Sequence, residues 1–263
     1  MRDGRRKVYF ASDMHLGSSS HPDPGEAEQK VVRWLRSIRE DAGALVLVGD
    51  IFDYWFEYRT VAPQGFVRLL GALAELRDVG VEVHFFNGNH DIWLFGYLER
   101  ELGLIVHRVA TELELLGRRF FIAHGDEYET ENRRYQFLRK LFHSRLAQKL
   151  YAGIHPDLTV RFAHAWSNHS RRKGTERYPI LPYKGEDEEY LTLFAKEDAA
   201  RRGQEAPAFY VFGHRHLLLD LMISRLSRVV ILGDWIHFFS YGEWDGETFA
   251  LRQFETGDEP VNY

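Results

Sequence analysis

Apolar positions along the chain follow two rhythms. Short runs rich in β-branched and aromatic residues stand at Val8–Ala11, Ala44–Val48, Val81–Phe86 and Phe209–Phe212. Each is of strand length and reads as a buried strand. Between the first three, apolar residues recur at helical spacing. Ala27, Val31, Trp34, Leu35 and Ile38 predict a helix ending near Gly43, and Phe66, Leu69, Leu70, Leu73 and Leu76 predict another closed by Gly80. Strand, helix and strand make a βαβ unit. A third helix is expected over Ile92–Leu102. A hairpin follows, with Thr111–Leu115 and Arg119–Ala123 joined at Leu116-Gly117-Arg118. After Phe212 come further β-type runs at Leu217–Ile223, Val229–Leu232, Ile236–Tyr241 and Thr248–Phe254, and a polar tail from Glu255.

The middle of the chain breaks this alternation. Leu138, Leu141, Phe142, Leu146 and Leu150 form one helical stripe, Gly153 and Pro156 interrupt it, and Leu158, Phe162, Ala165 and Trp166 begin another. An acidic helix over about Glu186–Arg201 returns the chain to the Phe209 strand. We read residues 126–180 as a helical insertion within a single domain spanning 1–263, a layered α/β fold with an added antiparallel portion.

Charge sharpens that division. The 263 residues carry a net charge of -5, yet Thr130 to Tyr178 holds 11 Arg and Lys against 3 Asp and Glu. A basic segment therefore sits on an acidic body. No run approaches the roughly 18 apolar residues of a membrane span, and the charged N-terminus lacks the apolar core of a signal peptide. A cytoplasmic protein is expected. There is no cysteine, so disulfides, thiolate metal sites and a cysteine nucleophile are excluded.

Five of the strand ends carry residues that bind metals: Asp13 and His15, Asp50, Asn89 with His90, His124, and His214 with His216. One such residue at a strand end is usually structural. Five in open α/β order predict convergence, because ligands of these sheets sit at the carboxyl ends of strands. Glycine stands beside four of the five, as expected where backbone must turn sharply or approach a centre closely. The spacing of Asp13-x-His15 and His214-x-His216 places each pair on one side of an extended backbone. Carboxylate, imidazole and amide oxygen suit a hard to borderline divalent ion, Mn²⁺ with Fe or Zn as rivals. Seven residues, Asp13, His15, Asp50, Asn89, His124, His214 and His216, exceed one ion's needs and suit two ions sharing a carboxylate, an arrangement made for phosphoryl displacement. Asp91 is placed to orient His90, and Asp53 either to cap its loop or to support a ligand.

Asp13-x-His15, Gly49-Asp50, Gly88-Asn89-His90-Asp91, His124-Gly125 and Gly213-His214-x-His216 resemble the five ordered motifs of the calcineurin-like metallophosphoesterase superfamily. The resemblance implies a layered β-sandwich flanked by helices. It implies one metal on Asp13, His15, Asp50 and His216 and a second on Asp50, Asn89, His124 and His214, with His90 as acid or oxyanion stabiliser beside Asn89 and Asp91. Within the superfamily, Tyr9 to Gly17, Gly49 to Trp55, His124-Gly125-Asp126 with Asn132 and Tyr135, and the helical insertion look most like the UDP-2,3-diacylglucosamine hydrolases of lipid A synthesis. That family cleaves its UDP-linked diacylated glucosamine lipid by water attack on the α-phosphate, with Mn²⁺, giving UMP and 2,3-diacylglucosamine 1-phosphate. It works at the cytoplasmic face of the inner membrane. Two departures stand out: the best-known members carry arginine where His90 stands and usually aspartate where Asn132 stands.

The insertion fits such a substrate. Its apolar stripe is expected either to pack on the body or to act as a lid holding acyl chains, and its basic residues suit an anionic membrane surface. Expected substrate contacts are Asn89, His90, Asn132, Tyr135, Ser167, Arg171, Arg172, Lys173 and His214. A metallophosphoesterase acting on cyclic nucleotides, nucleic acid or phosphoprotein is the alternative, although nucleic acid would leave the apolar stripe without purpose. A non-catalytic scaffold ranks last because no ligand position is lost. Oligomeric state is left open.

Overall fold

In the computed structural model, which describes residues 7–130, 132–160, 183 and 185–255, the first three apolar runs become β1 (Lys7–Ala11), β2 (Ala42–Val48) and β3 (Glu82–Phe86). They pair in parallel in that order. Helices α1 (Pro24–Ser37) and α2 (Val67–Asp78) make the crossovers. The start of α1 follows from its sequence. Asp23 accepts hydrogen bonds from the N–H groups of Gly25 and Glu26 at 2.8 and 3.2 Å, and Pro24 occupies the first turn, where no N–H is needed. Short β4 (Ile105–His107) extends the sheet beyond β3, while β10 (Ser240–Trp244) and β11 (Phe249–Gln253) extend it antiparallel from β1. The second sheet contains β5 (Thr111–Leu115), β6 (Arg118–Ala123), β7 (Phe209–Phe212), β8 (Leu218–Met222) and β9 (Arg228–Leu232), in the order β5-β6-β7-β9-β8.

Alternation along the strands sorts side chains into three cores. Tyr9, Leu45, Leu47, Val83 and Phe85 face α1 and α2; Val8, Phe10, Val46 and Val48 face Phe120, Ile122, Phe209 and Val211 of the other sheet. Tyr210, Phe212, Val229 and Ile231 turn outward onto α6 (Tyr190–Arg202). The result is a helix, sheet, sheet, helix sandwich. The strands bearing the candidate ligands lie in two parallel runs, β1-β2-β3 and β6-β7. Parallel pairing brings their carboxyl ends to one edge.

Two expectations shift, and one strand goes unpredicted. The helix expected over Ile92–Leu102 is only α3 (Tyr97–Leu102), because buried Glu57 accepts the N–H groups of Phe95 and Tyr97 and holds the preceding stretch extended. Strand β4 was too short to read from periodicity. The run Ile236–Tyr241 is not one strand. Asp234 accepts the N–H groups of Ile236, His237 and Phe238, making a turn, and β10 starts only at Ser240.

Within the expected insertion lie a 3₁₀ turn (Asp126–Tyr128), α4 (Arg133–His143) and α5 (Arg145–Ala152). Asn132 caps α4, accepting the Tyr135 N–H at 3.1 Å. Phe142 and Tyr151 pack on the body: their rings lie 5.5 and 5.9 Å from that of Trp93, whose Nε1 donates to the Phe142 carbonyl at 3.2 Å. The outer stripe stays uncovered, with Phe137 at 67%, Leu146 at 68% and Leu150 at 68% exposure. Of the expected insertion residues, Phe162, Trp166, Ser167, Arg171, Arg172 and Lys173 lie outside the described residues.

Candidate metal centre

The candidate ligands stand on backbone that is strained. Asp13, His15, Asp50, His214 and His216 all have left-handed φ, between 44° and 64°. Non-glycine residues adopt this region rarely, and such strain gathers at functional sites. The pairs Asp13/His15 and His214/His216 therefore share a direction through successive left-handed turns, not through the extended backbone that their spacing suggested. Neighbouring strand ends hold these turns in place. Asp13 N–H donates to the Gly49 carbonyl at 3.1 Å, His15 N–H to the Asp50 carbonyl at 2.9 Å, and Gly213 N–H to the His124 carbonyl at 3.0 Å. At Gly49, with φ of 82°, a Cβ would stand 2.6 Å from His124 Nδ1. Only glycine lets that imidazole in.

Two clusters result. In the first, His15 Nε2 lies 3.2 Å from His216 Nε2 and 3.8 Å from Asp13 Oδ1, and His216 Nε2 lies 3.6 Å from the same oxygen. In the second, His124 Nε2 lies 3.3 Å from Asp50 Oδ2 and 3.3 Å from Asn89 Oδ1, with His214 completing a group with Asp50 and His124. Asp50 Oδ2 is also 3.7 Å from His15 Nε2, so this carboxylate reaches both clusters. His124 Nδ1 is taken by the Val48 carbonyl at 2.9 Å and His216 Nδ1 by Asp234 Oδ2 at 3.0 Å. Their Nε2 atoms are thereby turned to the centre.

Electrostatics agree with a site built for positive charge. Burial opposes a charged His124, yet Asp50 and then Asp13 and Asp126 hold its pKa well above the usual imidazole range. Burial likewise opposes the Asp50 carboxylate, and His124 and His90 hold it well below the usual range. The donor set fits divalent ions: buried carboxylates and imidazoles with an amide oxygen, in two groups of three whose ligand atoms lie within 4.8 Å of one another. A third group, His15, Asp53 and His90, lies alongside. Asp53 Oδ1 is 3.6 Å from Nδ1 of both rings.

Asp91 does not orient His90. Its carboxylate accepts the N–H groups of Asp50, Ile51, Phe52 and Gly88 at 3.2, 2.8, 3.3 and 2.7 Å, tying two ligand loops together, while His90 Nδ1 is held by the Asp53 carbonyl at 2.8 Å. The expected catalytic role of Asp91 thus becomes a scaffolding one. Burial and neighbouring Asp50 push its pKa up to about 7, against those four donors, which favour the charged form. Tyr135 lies near the centre, its ring 6.2 Å from that of His214, and its hydroxyl donates to Asp126 at 3.3 Å. Arg139 Nε donates to the same Asp126 oxygen at 2.7 Å. Exposed Asn132 is a helix cap, a place where asparagine and aspartate serve equally. Its expected contact with substrate has no support in its hydrogen bonding. Periodicity missed Asp234 and Glu129, the latter 3.6 Å from His214 Nε2. The signal for Asp234 was present, since Leu232-Gly233-Asp234 repeats the apolar-Gly-Asp pattern of Val48-Gly49-Asp50.

No family model matches the chain. Among solved structures, a dimetal phosphatase from Danio rerio is 15% identical, with a TM-score of 0.49 over 99% of this chain and 100% of that one. A UDP-2,3-diacylglucosamine hydrolase from Yersinia pseudotuberculosis is 29% identical over 230 residues, 86% of this chain and 90% of the relative. A UDP-2,3-diacylglucosamine hydrolase from Porphyromonas gingivalis is 48% identical over 260 residues, 95% of this chain and 98% of the relative. With identity of that order across nearly the whole of both chains, the protein belongs to the UDP-2,3-diacylglucosamine hydrolase family.

Proposed function

We propose that this chain hydrolyses the diphosphate of UDP-2,3-diacylglucosamine to UMP and 2,3-diacylglucosamine 1-phosphate with two Mn²⁺ ions, at an anionic membrane surface. The full-length likeness to a hydrolase of that name carries the reading. Asp13, His15, Asp50 and His216 would hold one ion and Asp50, Asn89, His124 and His214 the other. Such a pair lowers the pKa of water and neutralises charge on the phosphates. The chain's own groups do the rest. His90 Nδ1 is committed to the Asp53 carbonyl, so only its imidazolium form can present a proton at Nε2 to phosphate or a leaving oxygen. Burial, with His15, holds the His90 pKa below the usual imidazole range, against Asp50 and Asp53, which favour the charged form. A phosphate arriving beside the ring adds to the favourable side.

Residues 126–180 form, in this reading, a helical insertion that takes the acyl chains. The exposed stripe of Phe137, Leu141, Leu146 and Leu150 supports this, as do the exposed Arg133, Arg134 and Lys140 on α4. No helix among the described residues is long and apolar enough to cross a membrane. Leu146→Glu with Leu150→Glu is expected to raise KM for the diacylated lipid by roughly 10²–10⁴-fold, since burying each leucine contributes about 1.5–3 kcal/mol. Turnover of soluble bis-p-nitrophenyl phosphate should not change. An unaltered KM for the lipid would remove α4 and α5 from acyl binding.

The direct test is UMP release from UDP-2,3-diacylglucosamine in mixed micelles with Mn²⁺, run in isotopically labelled water. Label in UMP is expected from attack on the α-phosphate. Release of UDP, or cleavage of nucleic acid in place of the lipid, would refute the reading.

A further inference from the structure

Asp234 lies behind the first cluster and is fully buried. Its two carboxylate oxygens have different tasks. Oδ1 accepts three backbone N–H groups, from Ile236 at 3.0 Å, His237 at 2.6 Å and Phe238 at 3.2 Å. Oδ2 accepts from two imidazoles, His216 Nδ1 and His237 Nδ1, each at 3.0 Å. The next residue continues the connection to the centre, because Trp235 N–H donates to the Asp13 carbonyl at 3.1 Å.

We propose that Asp234 is a positioning residue that sets the tautomer of His216 and so completes the Asp13, His15 and His216 half of the centre. An ionised carboxylate only accepts, so both Nδ1 atoms facing Oδ2 must carry their protons. In a neutral imidazole the proton on Nδ1 leaves the lone pair on Nε2. His216 Nε2 is the atom that faces His15 and Asp13. Five donors converge on the two oxygens of Asp234, three backbone N–H groups on Oδ1 and two ring nitrogens on Oδ2, the surroundings of a carboxylate that only accepts.

Asparagine inverts this while sparing the backbone. The three N–H donors can be met only by the amide oxygen, which fixes the side chain with its NH₂ toward the imidazoles. His216 must then accept at Nδ1, which moves its proton to Nε2 and removes the lone pair from the cluster. Such a partner of a ligating histidine typically accounts for 10–100-fold in metal affinity.

The inference rests on the two-metal reading, and calorimetric titration of the metal-free full chain with Mn²⁺ alone separates the two. Wild type should bind two ions. Asp234→Asn should keep one at the wild-type Kd and bind the second about 10–100-fold more weakly. A wild type that binds no Mn²⁺ overturns both statements; an Asp234→Asn protein with two wild-type sites overturns only the role of Asp234. Should the variant fold poorly, nitrogen NMR shifts of metal-free wild type decide alone. A His216 protonated at Nε2 there refutes the proposal, and one protonated at Nδ1 upholds it.

Discussion

Asp50→Asn should lower UMP release by at least about 10³-fold, beyond the 10²–10³ that the loss of one preorganised donor costs, and should remove the stabilisation expected of wild type on adding Mn²⁺. Asp50 ends β2 where the two clusters meet, with Oδ2 3.7 Å from His15 Nε2 and 3.3 Å from His124 Nε2. Its other oxygen accepts the His90 N–H at 2.8 Å. Asparagine keeps that bond and tolerates the left-handed φ of 54° that alanine would resist. What it removes is the negative charge shared by both halves. Binding to the native state alone stabilises by RT ln(1 + [L]/Kd), about 2.7 kcal/mol at 100 Kd, which for a protein of this size raises Tm by roughly 5–10 °C. Wild type should show that rise with Mn²⁺ and lose it to a chelator. A variant that kept the full rise, with turnover within tenfold of wild type, would show that Asp50 is not shared.

The centre was legible because of how parallel strands work. Val8 to Ala11 and Ala44 to Val48 announce strands by composition, helical spacing between them forces parallel pairing, and parallel strands end at one edge, so Asp13 and Asp50 had to be neighbours. What escaped was decided by tertiary hydrogen bonds that no periodicity encodes. Glu57 holds residues before Tyr97 out of a helix by accepting the Phe95 and Tyr97 N–H groups, and Asp234 turns Ile236 to Phe238 away from a strand. Asp91 stands next to His90 in sequence, yet its carboxylate serves the loop after β2 instead, because four N–H groups converge on it there. Adjacency in sequence carried no information about which way that side chain turned. The stripe on α4 and α5 was likewise readable as apolar, but its periodicity could not say whether the body covers it. Trp93 packs on Phe142 and Tyr151, and Leu146 and Leu150 stay exposed.

Gly88→Ala should cut kcat/KM by on the order of 10²-fold, because a displacement of about 1 Å in a reacting constellation costs that much, and should destabilise the fold by about 1–3 kcal/mol. A Cβ at Gly88 would stand 2.1 Å from Asp50 Oδ1 and 2.4 Å from Asp50 N. Neither atom can give way alone. Asp50 N–H and Gly88 N–H are both bound by Asp91 Oδ1, at 3.2 and 2.7 Å, so pushing one loop aside strains the bond that locates the other. The two ligand loops are therefore spaced by the absence of a side chain and pinned by one buried carboxylate. Gly71→Ala provides the opposite case. It lies inside α2, its added Cβ meets nothing within 4 Å, and it should stabilise by about 0.4–1 kcal/mol without affecting turnover. Urea denaturation and lipid hydrolysis on both variants would separate a general intolerance of added bulk from this specific one. If Gly88→Ala retained wild-type turnover, the close approach of these loops would not be what sets Asp50 in place.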